Sequence, residues 1–136
     1  MSNSSTVSSP LFDVRVDRGI AVLRVFGKAY LHSHATEYAR ILAKLREQGV
    51  ARFILDLSSC DYISSEGISN VTRSWKSFCD EGKGRMAVVV PNDPANEVRN
   101  LFDVIGISPI LGNALQPTVE AAVNCLLEPP QDKGLA

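Results

Sequence analysis

Long apolar runs are missing from this sequence. None approaches the roughly 18 residues a helix needs to cross a bilayer, so no membrane span is expected. An excess of basic charge is missing too. The net charge is −1 over 136 residues, and acids and bases interleave, as in Arg40, Lys44, Arg46 and Glu47. That excludes the cationic stripe of a nucleic-acid binder. The three cysteines, Cys60, Cys79 and Cys125, are odd in number, widely spaced and never in a Cys-x-x-Cys pair. Neither a disulfide framework nor a zinc site is implied, and a reducing compartment fits. His32 and His34 flank Ser33 with no cysteine or acid at ligand spacing, which reads as a solvated loop and not a metal site.

Catalytic signatures are absent as well. There is no Walker loop and no dinucleotide fingerprint. Gly67-Ile68-Ser69-Asn70-Val71 lacks the second glycine of a nucleophile elbow. Asp56 ends an apolar run as a phospho-accepting aspartate would, but the acidic pair and lysine such a site needs are not visible; it reads as a hydrogen-bonding residue at a strand edge. No enzyme, cofactor or metal is expected. The first ten residues have neither a basic start nor an apolar centre, so they do not read as a signal peptide, and a cytoplasmic location is expected.

What is present is an ordinary soluble composition, 45% hydrophobic and 21% charged, on a length that suits one domain. Residues 1–10 read as a disordered tail, 11–128 as the domain and 129–136 as a second loose tail. Phe12, Val14 and Val16 alternate with Asp13, Arg15 and Asp17, the period of a strand with one wet face. A turn at Asp17-Arg18-Gly19 returns the chain as Ile20–Phe26, giving an antiparallel hairpin. A loop over 27–33 leads to a helix capped by Ser33 and running to Gln48, with Ala35, Tyr38, Ile41, Leu42 and Leu45 on its apolar face.

Arg52–Leu57 and Met86–Val90 are apolar enough for buried parallel strands, joined by a helix over Ser65–Glu81 with Ile68, Val71, Trp75 and Phe78 inward. A helix near Ala95–Ile105 should bury Val98, Leu101, Phe102 and Ile105 and stop at Gly106. Ile107–Leu111 reads as a short strand. Pro117 suits the first turn of a last helix with Val119, Ala122, Val123, Leu126 and Leu127 as its stripe. The fold class is α/β: a mixed sheet begun by a hairpin, continued by parallel crossovers, with about four packed helices.

The organising stretch is Asp56-Leu-Ser-Ser-Cys-Asp-Tyr-Ile-Ser-Ser-Glu-Gly-Ile68, where a strand hands over to a helix. Ser64 or Ser65 at that helix start fits an N-cap. The same place favours a phosphate, because unpaired N–H groups and the positive end of the macrodipole converge there. Residue types alone favour the cap.

In this order and spacing, the chain from about Phe12 to Leu127 resembles the STAS domain, specifically bacterial anti-sigma-factor antagonists. The motif stands as Asp56-Leu57-Ser58 followed by Tyr62-Ile63-Ser64-Ser65-Glu66-Gly67-Ile68. Gly27, the run from Phe102 to Gly106-Ile107 and Val119-Glu120-Ala121 add to it. The resemblance implies a partner switch. Such a protein binds a serine-kinase anti-sigma factor, frees a sigma factor, and is switched off when that kinase, with its own ATP and Mg²⁺, phosphorylates one serine; a serine phosphatase reverses the change. The matching acceptor is Ser65, with Ser64 as second candidate.

Tyr30, Leu31, Ser64, Glu66, Gly67, Ser69, Thr72 and Arg73 are the expected partner-binding residues, Gly67 by keeping the site open. Tyr30 and Ser64 stand where the family often has aspartate. A stressosome-like scaffold or a lipid-transport ATPase subunit is the alternative within the family. A small enzyme or ligand carrier would require a pocket of convergent titratable groups.

Overall fold

The computed structural model describes residues 7–8, 12–29, 35–80 and 84–127. Six strands form one sheet, in the order β1 (Val7–Ser8), β2 (Phe12–Asp17), β3 (Ile20–Val25), β5 (Arg52–Asp56), β7 (Arg85–Val89) and β8 (Leu115–Gln116). The first three are antiparallel, and β3, β5, β7 and β8 run parallel. The expected hairpin and the parallel pairing of the two apolar strands are both present. Arg18 and Gly19 take φ of 54° and 79°, the left-handed pair that matches a hairpin turn to the twist of its strands. Val7–Ser8, within the stretch read as a tail, pairs with β2 as the sheet's edge.

Strand parity decides the layers. Phe53 and Leu55 of β5 face one core, with Leu23, Val25, Met86 and Val88; Ile54 faces the other, with Ile20, Ala87 and Val89. Both faces are covered, which is why β5 and β7 lack a polar alternation. On the first face lie α1 (Ala35–Glu47), α2 (Ser65–Asp80), α3 (Glu97–Ile105) and α4 (Ile107–Leu111). On the second, among the described residues, lies α5 (Val119–Leu127), through Ala122 and Leu126. No helix among the described residues is long and apolar enough to cross a membrane.

Five helices are described where about four were expected, because Ile107–Leu111 is helical and not a strand. Gly106, at φ 89°, ends α3 and lets the chain start α4 at once, so Ile107 and Leu111 reach the core one helical turn apart. Ile105 and Leu127 were expected inward and are 42% and 54% exposed. Pro117 precedes the last helix instead of lying in its first turn; Thr118 is the cap, its Oγ1 accepting the Ala121 N–H at 3.1 Å. The far end of α5 is held by Arg85, whose Nη1 donates to the Leu126 carbonyl at 2.9 Å and Nη2 to that of Cys125 at 3.2 Å. A cation there satisfies carbonyls left without partners and opposes the negative end of the dipole. The expected cap Ser33, like His32 and His34, lies outside the described residues.

A buried hydroxyl pair joins α1 to α2. Ser74 Oγ donates to the Val71 carbonyl at 2.9 Å, which uses its one hydrogen, so Tyr38 donates in the 2.8 Å contact between the two hydroxyls. Burial pushes the Tyr38 phenol well above its ordinary value, and the bond to Ser74 offsets only part of that. Because the folded value is raised, this contribution to stability is complete below about pH 10 and is lost as pH climbs from there through the higher folded value. Tyr38→Phe is expected to cost about 1 kcal/mol at neutral pH and to flatten the alkaline fall in stability, measured by urea unfolding across that range.

Candidate functional site

Strand β5 delivers the chain to the carboxyl end of the sheet at Asp56. This residue is fully buried, and β5 lies inside the sheet, so the edge position expected for Asp56 is corrected. Its Oδ2 takes the Arg24 Nε at 3.2 Å from the neighbouring strand, and its Oδ1 accepts the Ser58 N–H at 2.9 Å. The carboxylate thereby ties the first residue of the turn to the sheet. Leu57 N–H donates to Val89 and Cys60 N–H to Leu57, closing the reversal.

The chain then forms β6 (Cys60–Ile63), which pairs in parallel with β4 (Gly27–Ala29). These two short strands occupy stretches read from the sequence as loop. Ile63 is buried in the main core, which anchors the residue before the two serines. Helix α2 starts at Ser65.

The two hydroxyls divide the work. Ser64 is the cap: its Oγ accepts the Gly67 N–H at 3.0 Å and its carbonyl accepts the Ile68 N–H at 2.9 Å. Ser65 is the first helical residue and is exposed. An anion on Ser65 would sit beside first-turn N–H groups that have no acceptor within the helix. Glu66 is exposed in the same turn. Gly67 is buried and gives its N–H to Ser64.

Beyond Ser65 runs a shallow groove of about 390 Å³ between α2 and the α3–α4 corner. It is lined by Ser65, Ile68, Ser69, Thr72 and Arg73 on one side and by Ile105 and Ile107 on the other. The structure thus brings together Ser65 and three of the expected contact residues, Ser69, Thr72 and Arg73. Tyr30 and Leu31 lie outside the described residues. Thr72 Oγ1 donates to the Ile68 carbonyl at 3.0 Å, and Arg73 Nη1 reaches Asn70 Oδ1 at 3.3 Å. The isoleucine wall was not expected from the sequence. Its signal was an apolar surplus: Val104 and Ile105 follow Val98, Leu101 and Phe102, more than one helical face can bury. On the same two helices Val104 is 82% exposed and Ile110 56%.

Residues 12–122 match the family model described as the STAS domain. Among solved structures, a candidate anti-sigma factor antagonist from Thermotoga maritima aligns with TM-score 0.72 at 17% identity, over 86% of this chain and 95% of that one. An anti-sigma factor antagonist from Mycobacterium paratuberculosis aligns with TM-score 0.69 at 19% identity, over 90% and 100%. The phosphorylated form of the Bacillus cell fate determinant SpoIIAA aligns with TM-score 0.58 at 23% identity, over 83% and 96%. At these identities the likeness is one of fold. No curated protein sequence matches this chain.

Proposed function

This chain belongs to the STAS domain family, and from that premise we propose that it acts as an anti-sigma-factor antagonist switched off by phosphorylation of Ser65. The observation that carries the reading is the division between the serines: Ser64 is committed to capping α2, while Ser65 is exposed at the first helical position and opens onto a groove with an apolar wall. In this reading a kinase-type anti-sigma factor docks over the start of α2 and releases its sigma factor. The kinase, with its own ATP and Mg²⁺, transfers a phosphoryl group to the Ser65 hydroxyl and the proton leaves for bulk water. A serine phosphatase restores the hydroxyl. The antagonist is a substrate and not an enzyme, and works in the cytoplasm.

Phosphorylation adds roughly −1.5 to −2 charges at a helix start, where dipole and N–H groups stabilise it within the fold. The same charge against a docked surface lacks a partner, so it is costly there and the complex separates. The switch therefore acts by occlusion and repulsion, with little refolding.

Incubation with the cognate anti-sigma kinase and ATP, followed by intact-mass measurement and peptide mapping, is expected to place one phosphoryl group on Ser65. Ser65→Ala should abolish it and Ser64→Ala should not. A phosphoryl group retained in Ser65→Ala, or mapped to Ser64, would overturn the assignment.

A further inference from the structure

A second depression, of about 330 Å³, lies between β6 and α3, lined by Tyr62, Ile63, Glu97, Asn100, Leu101 and Val104. We propose that it receives an arginine side chain presented by the protein partner that covers Ser65, an inference that rests on the docking reading above.

The α3 wall is one helical face, at i, i+3, i+4 and i+7, and its chemistry changes along its length. The amino-terminal end carries the exposed Glu97 carboxylate and the Asn100 amide. Asn100 Nδ2 donates to the Pro94 carbonyl at 3.0 Å, which leaves its Oδ1 as the atom turned to acceptance. The other end is Leu101 and the largely bare Val104. Across the slot stands Tyr62, 41% exposed, whose ring face attracts cations.

None of the described lining residues is basic, so among them the slot offers acceptors, an aromatic ring and apolar surface. An arginine matches all three. Its methylenes suit Leu101 and Val104, and its planar fork can bond a carboxylate and an amide oxygen together while lying against a ring. A lysine ammonium could also donate to both oxygens, but as a compact, strongly hydrated point charge it cannot lie flat against the ring as a guanidinium does. The positive end of α3 opposes a cation by roughly half a charge, but the full charge of Glu97 outweighs it. The volume is at the bottom of the range for small-molecule sites, which fits one long side chain and not a nucleotide or coenzyme. Tyr62 and Ile63 lead directly into Ser64 and Ser65, so a partner seated over α2 spans both depressions.

Titration of the ¹⁵N-labelled protein with Nα-acetyl-arginine methylamide, followed by NMR, is the direct test. The amides of Tyr62, Glu97 and Asn100 should shift saturably. The neutral isostere Nα-acetyl-citrulline methylamide should bind at least about tenfold more weakly, and Glu97→Gln should erase the difference. Equal responses to the two probes, shifts scattered over other surfaces, no shift at all, or an undiminished preference in Glu97→Gln would each overturn the slot.

Ser65→Glu should leave this titration unchanged, which separates the two readings. With the anti-sigma partner itself, Glu97→Gln should weaken the complex about tenfold while Ser65 remains the mapped acceptor. An unaltered complex overturns the slot and leaves the phosphorylation reading standing.

Discussion

Ser65→Glu is expected to weaken binding of the anti-sigma partner by well over tenfold in a calorimetric titration, while Ser65→Ala stays within about twofold of the parent. A tenfold loss is only about 1.4 kcal/mol, and desolvating an unpaired carboxylate under a docked surface costs several. Within the free protein the sign reverses. A negative side chain at the first position of α2 gains about 0.3–1 kcal/mol from the helix dipole, so the variant should melt no lower than the parent. Ser64→Ala should do the opposite to the free protein: without the Oγ that accepts from Gly67 it should lose about 1 kcal/mol of stability. If Ser65→Glu bound as tightly as the parent, the docked surface would have to lie elsewhere.

Asp56→Ala is expected to cost about 3 kcal/mol in urea unfolding, with an unchanged m-value. The carboxylate is buried and makes two bonds, one to a guanidinium and one to the N–H that opens the turn toward β6. Breaking a buried ion pair can cost 3–5 kcal/mol when the surviving charge is stranded. Here the survivor is Arg24, whose side chain is 46% exposed and can turn to water, which places the loss at the lower end. Asp56→Asn keeps an acceptor for Ser58 and loses only the charge, so about half that cost is expected. A loss below about 1 kcal/mol for Asp56→Ala would show that the turn is held by its backbone bonds instead.

Periodicity carried most of the fold. The alternation from Phe12 to Asp17, the unbroken apolar strands at 53–57 and 86–90, and the spacing of Ile68, Val71, Trp75 and Phe78 are local patterns, and each became the expected element. The misses are places where a distant partner decides. Strands β4 and β6 are three and four residues long and gain their identity only from each other. The run Ile107–Leu111 is apolar and fits either period; the left-handed Gly106 before it settles the matter in three dimensions. Ile105 continues the stripe of Val98 and Phe102, yet the chain turns away from the sheet there and leaves it as a groove wall.

At the site, a serine cap was legible, but not which serine. A capping box needs Glu or Gln three residues on, and Ser64 and Ser65 are followed at that distance by Gly67 and Ile68, so the local rule does not discriminate. Only the backbone path from the buried Ile63 assigns the cap to Ser64 and turns Ser65 outward.

The lopsided layering carries its own consequence. Four helices share one large core with the front of the sheet, while α5 packs on a smaller core behind it and its far end is held by Arg85. A helix held by its own small core is a natural unit to detach in partial opening events, and its lifting would uncover Ile54, Ala87 and Val89. The bond holding it lies at the opposite end of the strands from the serines. Transient peeling of α5 is therefore expected to leave the start of α2 and its groove assembled.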